Sequence, residues 1–282
     1  MMQGRLWKIG DREFDLQSHG MIMGVLNVTP DSFSDGGEYF STEKAVEHAL
    51  EMISDGAHII DVGGESTRPG SEPIPSEEEL NRVVPVIKQL RSRRDVLISI
   101  DTSKAEVAAA ALEAGANIVN DVTGGRGDAE MFPLVGRSRA GMIIMHMQGT
   151  PKTMQAAPHY DDVVAEVSEF FRQQYACALE CGVDDMTMAF DPGIGFGKTL
   201  GHNLELLANL DRLRVADRPL AVGVSRKAFL TQVTGFADRP ARATATASLT
   251  ALLRGRGADI FRVHDVRENA AALRLAETIL AT

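Results

Sequence analysis

The stretch VLISIDTSKAEVAAAALEAGANIVND (96–121) contains one complete structural unit. Its first six residues, VLISID (96–101), form a short apolar run rich in β-branched residues and ending on a carboxylate. Such a run reads as a strand buried on both faces. Residues 104–114 follow with the amphipathic period of a helix. NIVND (117–121) then opens a second buried strand. Strand, helix, strand in this order is the building block of a parallel sheet.

The same unit recurs along the whole chain. Further apolar runs stand at 21–27 (MIMGVLN), 58–64 (HIIDVGG), 141–146 (GMIIMH), 187–191 (TMAFD), 220–225 (LAVGVS) and 259–264 (DIFRVH). Helical stretches separate or follow them at 42–55, 77–93, 104–114, 128–138, 161–181, 202–215, 241–255 and 267–281. Eight strand–helix repeats in one chain of 282 residues predict an α/β fold, a (β/α)8 TIM barrel spanning residues 1–282 as a single domain. A doubly wound open sheet is the alternative, but it usually needs only five or six strands and a switch point. No composition break or Pro/Gly linker interrupts the eight units, which favours closure. Segment 5–16 reads as an N-terminal β-hairpin turning at Gly10-Asp11. It is expected to cover the bottom of the barrel or its first strand. Ser41-Thr42-Glu43 and Ser76-Glu77-Glu78-Glu79 read as helix starts, with Ser76 and Glu79 at capping-box spacing.

Composition narrows the function. Hydrophobic residues make up 44% and charged residues 24%, which excludes a disordered or collagen-like chain. Net charge is −10, so no nucleic-acid partner is expected. An anionic substrate would need a local cationic cluster set against that field. Cys177 and Cys181 lie four apart in a predicted helix and read as ordinary thiols rather than a disulfide framework. No run of 18 apolar residues is present, so no membrane span is expected. The first residues resemble neither a signal nor a transit peptide, and a cytoplasmic location is the default.

Barrel enzymes place their chemistry at the C-terminal ends of the strands. The residues there are Asn27, Asp61, Asp101, Asn120 with Asp121, His146, Asp191, Ser225 with Lys227, and Arg262 with His264. Strand ends are wet, and some polar residues there need no explanation. Carboxylates and amides abutting such apolar runs do, because burial without a partner costs about 1–3 kcal/mol. Asp101, Asn120 and Asp191 are planar groups able to read the edge of a flat heterocycle through paired hydrogen bonds. Arg68, Lys227, Arg262 and His264 form a cationic set suited to an anion. Arg262 and His264 alternate with Val263 and so face one side of their strand. Arg68 and Lys227 also admit a plainer reading as solvated loop charges. The neighbouring GGESTRPG (63–70) and SRK (225–227) add small residues and backbone N–H groups that phosphate oxygens can approach. NVTPDSFSDGG (27–37) and the 63–75 stretch read as long loops at the barrel mouth, able to act as lids. Phe33 there suits an aromatic ligand better than a core. Asp35 could enter on closure, although Asp35-Gly36 by itself is simply a turn. DPGIGFGK (191–198) matches neither nucleotide-loop spacing and is expected to give a flat wall beside a planar ligand. No His or carboxylate cluster has metal spacing, so a metal caged wholly by protein is not expected.

NVTPDSFSDGG (27–37), IDVGGESTRPG (60–70), ISIDTSK (98–104), NDVTGG (120–125), MHMQGTPKTMQ (145–155), DPGIGFGK (191–198), SRK (225–227) and RVHDV (262–266) together resemble the dihydropteroate synthase family. The resemblance runs from about residue 21 to the C-terminus and is specific because eight motifs occur in order. It implies condensation of 6-hydroxymethyl-7,8-dihydropterin pyrophosphate with p-aminobenzoate, a homodimer, and Mg2+ carried by the pyrophosphate. It also implies residue roles. Asp101, Asn120, Met145, Asp191, Phe196, Gly223, Lys227 and Arg262 would hold the pterin. Phe33, Thr67, Pro69 and Ser225, with Lys227, would form the p-aminobenzoate pocket. Asn27, Thr67, Arg68, Arg262 and His264 would hold the pyrophosphate, with Asn27 on the metal. Asp35, Arg68, Lys227, Arg262 and His264 would be the catalytic set. Two other readings stand beside it, a pterin-dependent methyltransferase and a non-catalytic pterin-binding paralogue. The first has no use for the anion site or the 27–37 loop, and the intact charged set argues against the second.

Overall fold

The computed structural model describes residues 5–29, 37–68 and 70–282. Phe33, Asp35 and Pro69 therefore lie outside the described residues. A two-stranded antiparallel hairpin, β1 (Leu6–Ile9) and β2 (Arg12–Asp15), comes first. Gly10, at φ 59°, makes its turn. The barrel strands follow: β3 (Met21–Asn27), β4 (Ile59–Gly63), β5 (Leu97–Asp101), β6 (Ile118–Asp121), β7 (Gly141–Met145), β8 (Met188–Asp191), β9 (Ala221–Val222) and β10 (Ile260–Val263). All eight are parallel, in the order β8-β7-β6-β5-β4-β3-β10-β9. A single parallel bridge, Phe190 to Leu220, joins the two outer strands and brings the barrel nearly to closure. The predicted fold class is the one found.

Around the barrel lie α1 (Gly37–Ser54), α2 (Ser76–Arg93), α3 (Ala105–Glu113), α4 (Met131–Ser138), α5 (Val163–Glu180), α6 (Leu200–Ala208), α7 (Ala228–Thr234), α8 (Arg239–Gly255) and α9 (Val266–Leu280). Period-2 alternation sorts the strand residues. Ile22, Ile60, Ile98, Val119, Ile144 and Phe190 point outward and pack on the helices. Met23, Ile59, Ile118, Ile143 and Ile260 point inward and form the floor. Trp7, Ile9 and Leu16 of the hairpin join that floor from below, so the hairpin plugs the bottom. Trp7 is fully buried, and its Nε1–H donates to the Thr187 carbonyl at 2.8 Å.

Five local expectations need correction. Helix α1 begins at Gly37, so Ser41-Thr42-Glu43 lies inside the helix rather than at its start. Ser76 lies inside α2, whose N-cap is Pro75 with no side-chain cap, so the capping box is absent. Glu79 is instead drawn inward to Lys104, at 2.6 Å. The helix expected over 202–215 ends at Ala208. Asn209 leaves helical geometry, its side chain donates to the Glu205 carbonyl at 2.8 Å, and a 3-10 turn follows at Leu210–Leu213. Strand β9 stops at Val222 rather than Ser225. Its ladder partner there is replaced by a side chain, since His264 N–H donates to Ser225 Oγ at 3.1 Å. The short α7, closed by Gly235 at φ 75°, has no counterpart among the expected helices.

The floor contact has a measurable consequence. Trp7→Ala should remove about 3–5 kcal/mol of unfolding free energy, read as a lower denaturant midpoint. A loss near zero would mean that the hairpin is not part of the barrel's cooperative core.

Candidate active site

One step above the apolar floor, the inward positions turn polar. Ile59 gives way to Asp61, Leu97 to Ser99 and then Asp101, Ile118 to Asn120, and Ala189 to Asp191. Ile260 gives way to Arg262 and, beyond the strand, His264. Each follows from the two-residue period of a strand. The result is a cavity of about 1060 Å³ opening at the C-terminal ends of the strands.

A charge cluster sits at its base. Arg262 Nε donates to Asp61 Oδ2 at 2.6 Å, and Nη2 donates to Asp101 Oδ2 at 2.5 Å. Asn120 Nδ2 also donates to Asp61 Oδ2, at 3.2 Å. The Asp61 Oδ1, Ser99 Oγ and Asp101 Oδ1 atoms are buried with no protein partner. Burial pushes Asp101 up to about 7, against the pull of Arg262. The two carboxylates hold Arg262 above its ordinary value, despite its burial. Asp191 is also pushed up by burial, to about 6, against the Gly193 N–H that donates to its Oδ1 at 2.7 Å. That bond occupies one carboxylate oxygen and leaves Oδ2 for a ligand.

The wall beside Asp191 is the Gly-rich turn. Gly193, at φ 63°, passes so near the His146 carbonyl that a Cβ would sit 1.9 Å from its oxygen. Gly197, at φ 65°, approaches the Gln148 carbonyl in the same way. Only glycine fits either position. The turn carries Phe196, and Lys227 Nζ lies 3.9 Å from the centre of that ring. Burial lowers Lys227 to about 8, with Arg262 adding to the effect. Lys198, also buried in this wall, contacts His146 Nδ1 at 3.0 Å.

The rim is built from two loops. In the first, Lys104 Nζ donates to Glu65 Oε2 at 2.5 Å, to Glu79 Oε2 at 2.6 Å and to the Ile74 carbonyl at 2.9 Å. This clamp fixes the root of the segment that presents Thr67 and Arg68 to the cavity. Ser71 Oγ steadies its tip by donating to the Ser66 and Arg68 carbonyls. In the second, Arg226 takes a left-handed φ of 59° and pairs with Asp265 at 2.6 Å. The pair holds Ser225 and Lys227 facing inward. His264 Nδ1 lies 3.1 Å from Ser225 Oγ. Burial and the neighbouring Arg226, Arg262 and Arg68 push His264 down to about 3. It is therefore neutral near pH 7 while no anion is bound.

Asn27, Thr67, Arg68, Asp101, Asn120, Met145, Asp191, Phe196, Gly223, Ser225, Lys227, Arg262 and His264 all line this one cavity. Asp61 does not line it. It sits within β4, fully buried beneath Arg262, rather than at the strand's end. Asp121 faces away, its carboxylate accepting from Thr123 and Gly125 in a turn. In the sequence, Asp61 and His146 register only as polar strand ends, and Lys104 and Lys198 only as members of motifs. The available signal for Asp61 is a carboxylate in the middle of an apolar run. Among the described residues, no group of three His, Cys, Asp or Glu side chains can hold a metal. Asn27, which lines the same cavity as Arg68, offers an amide oxygen that fits a Mg2+ arriving on a phosphate and needing few protein ligands.

The chain matches the family described as "Pterin binding enzyme" over residues 23–264. It is 47% identical over 268 residues to the dihydropteroate synthase of Escherichia coli K12, covering 94% of this chain and 93% of that one. The chain belongs to the dihydropteroate synthase family. The Synechocystis member is 43% identical, over 96% of this chain and 94% of its own. Solved dihydropteroate synthases superpose closely. The Xanthomonas albilineans enzyme with 4-aminobenzoic acid has a TM-score of 0.91 at 40% identity, covering 99% of this chain and 100% of that one. The Yersinia pestis enzyme with a sulfonamide drug complex has a TM-score of 0.91 at 39% identity, covering 98% and 100%. A transferase of folate biosynthesis follows from dihydropteroate synthase membership, and the relatives favour it over a methyltransferase or a non-catalytic paralogue.

The Lys104 clamp can be tested through stability. Lys104→Met should cost about 3–5 kcal/mol, because it leaves the buried Glu79 without its cation. Adding Glu65→Gln and Glu79→Gln should recover most of that loss in denaturant unfolding. An unchanged midpoint in the single variant would contradict the clamp.

Proposed function

We propose that this cavity joins the methylene of 6-hydroxymethyl-7,8-dihydropterin pyrophosphate to the amino nitrogen of p-aminobenzoate, releasing pyrophosphate. The observation that carries the residue roles is the convergence of planar acceptors and cations in one barrel mouth. Asp101, Asn120 and Asp191 present oxygen and amide edges that match the N–C–NH2 edge of a pterin. Met145, Phe196 and Gly223 flank its faces, with Lys227 beside Phe196. Arg262, anchored by Asp61 and Asp101, lies across the pterin and reaches toward the pyrophosphate. Asn27, Thr67, Arg68 and His264 complete the anion site at the rim. Thr67 and Ser225 border the p-aminobenzoate position, and Phe33, Pro69 and Asp35 are assigned to its cover from sequence alone.

The reaction proceeds by dissociative substitution. The C–O bond breaks and its electron pair leaves with the pyrophosphate. The electron-rich dihydropterin delocalises the positive charge left on the methylene. The neutral arylamine nitrogen then forms the C–N bond and loses a proton. No nucleophilic Ser or Cys is required. The protein binds the leaving anion, places Asp101 and Asp191 near the cation, and keeps water out. Asn27 would hold the Mg2+ that comes with the pyrophosphate, and the ion would supply neutralisation of the leaving charge. The reading includes a cytoplasmic homodimer. Exposed Leu252 on α8 and Leu275 and Ile279 on α9 support a paired face. No helix among the described residues is long and apolar enough to cross a membrane.

Purified protein given dihydropterin pyrophosphate, p-aminobenzoate and Mg2+ should release pyrophosphate and form dihydropteroate in equal amounts. Omitting any one component should stop steady turnover, and folded protein without turnover would overturn the assignment. Arg262→Ala should lower kcat/KM for the pterin substrate by about 100-fold or more. The pH profile gives a further check. Asp191 and Asp101 have raised values, about 6 and about 7, so they take up protons as pH falls through that range. A protonated carboxyl loses its paired acceptance, so kcat/KM for the pterin should decline below about pH 6–7. A profile flat down to pH 5 would contradict these roles.

A further inference from the structure

Among the described residues, Lys198 is a fully enclosed cation of the cavity that the proposed reaction leaves without a task. Only 3% of it is exposed, yet it closes the motif that forms the pterin wall. Its Nζ contacts three atoms. The Phe196 carbonyl is at 3.0 Å, the His146 carbonyl at 3.4 Å and His146 Nδ1 at 3.0 Å. The two carbonyls bracket the Gly-rich turn. Phe196 lies on that turn, and the His146 carbonyl is the surface against which Gly193 packs. Gly193 in turn donates to Asp191 Oδ1. One amine therefore ties the residue beneath Lys227 to the backbone that orients Asp191.

The donor inventory makes this tie unusual. As an ammonium, Lys198 has three N–H groups, two for the carbonyls and one for an unprotonated His146 Nδ1. As a neutral amine it has two N–H groups, again for the carbonyls, and a lone pair that accepts from a protonated His146 Nδ1. The change needs only the other tautomer of a neutral imidazole. The carbonyl bonds survive in both states. The groups facing Lys198 are known. Asp191, Lys227 and Arg126 act on its charge, His146 is in direct contact, and the Tyr160 ring centre is 6.0 Å away. His202 stands behind Tyr160, ring centres 4.9 Å apart. Burial lowers Lys198 to about 7, helped by Lys227 and Arg126 and opposed by Asp191. Burial and the Lys198 charge also push His146 down to about 2, which keeps the imidazole neutral throughout.

We propose that Lys198 is a positioning residue that holds the pterin wall in place whether or not it carries a proton, by exchanging one hydrogen bond with His146. The inference rests on the pterin-binding reading of the cavity. It would explain how a buried amine can sit beside Asp191 across neutral pH without the wall loosening.

The test combines binding with nitrogen NMR. In wild-type protein labelled at histidine nitrogen, His146 Nδ1 should pass from unprotonated at pH 6 to protonated at pH 8.5, the signal being assigned by its loss in His146→Gln. Lys198→Met should abolish that transition. It should also raise KM for dihydropterin pyrophosphate by about tenfold or more while leaving KM for p-aminobenzoate within about twofold. Lys198→Arg, which cannot give up its proton, should recover part of the pterin KM but not the His146 transition. An Nδ1 signal that stays in one state over this range in wild type would overturn the proposal, with no variant needed. So would a folded Lys198→Met variant with unchanged pterin KM. If wild-type protein neither binds nor turns over the pterin substrate while the His146 transition is present, it is the reading of the cavity that fails, and the hydrogen-bond exchange stands.

Discussion

A guanidinium at the base of a parallel barrel's mouth, largely cut off from bulk water, needs neutralising groups in its own layer. Arg262 meets that condition between Asp61 and Asp101. In a low-dielectric interior, a lone charge there would cost several kcal/mol. The constraint runs in both directions. Without Arg262, Asp61 would be a fully buried carboxylate with only Asn120 for company. The cluster thus forces three strands, β4, β5 and β10, into one register, and it fixes the depth at which the apolar floor ends. Everything above that depth is available for a ligand.

The same cluster explains how an acidic protein can hold an anionic substrate. Net charge is −10, yet Arg68, Lys227 and Arg262 reach a common cavity. Their local field counts for more than the distant surface charge, because screening weakens the latter within about 10 Å. His264 is neutral without an anion nearby. A dianionic group at the rim would favour its charged form, so the site's cationic character would grow as the ligand enters. The Lys104 clamp on Glu65 and Glu79 supplies the rigidity that lets Thr67 and Arg68 meet that ligand from a loop.

Much of this was legible in the chain itself. Apolar runs of five to seven residues separated by amphipathic stretches specify buried parallel strands, and their number specifies the barrel. Alternation about Val263 places Arg262 and His264 on one side, as found. The polar residues at strand ends converge because the fold brings all strand ends to one mouth. Other features were not legible, for physical reasons. A salt bridge between Arg262 and Asp61 joins residues 201 apart in sequence, and nothing local signals it. The pull of Lys104 on Glu79 overrode a good capping box, because a tertiary ion pair outweighs a local cap. Neutral His264 follows first from burial and then from three nearby guanidinium groups, and only the folded chain brings these about.

The account stands or falls on where a pterin lies. A crystal structure of this protein with 7,8-dihydropteroate would decide it. The pterin edge should meet Asp101, Asn120 and Asp191, its face should lie against Arg262 with Asp61 still bound to Nε, and the aminobenzoate end should leave past Ser225 and Thr67. Product bound elsewhere in the barrel, or Arg262 turned out of its carboxylate pair with the pterin in place, would contradict it.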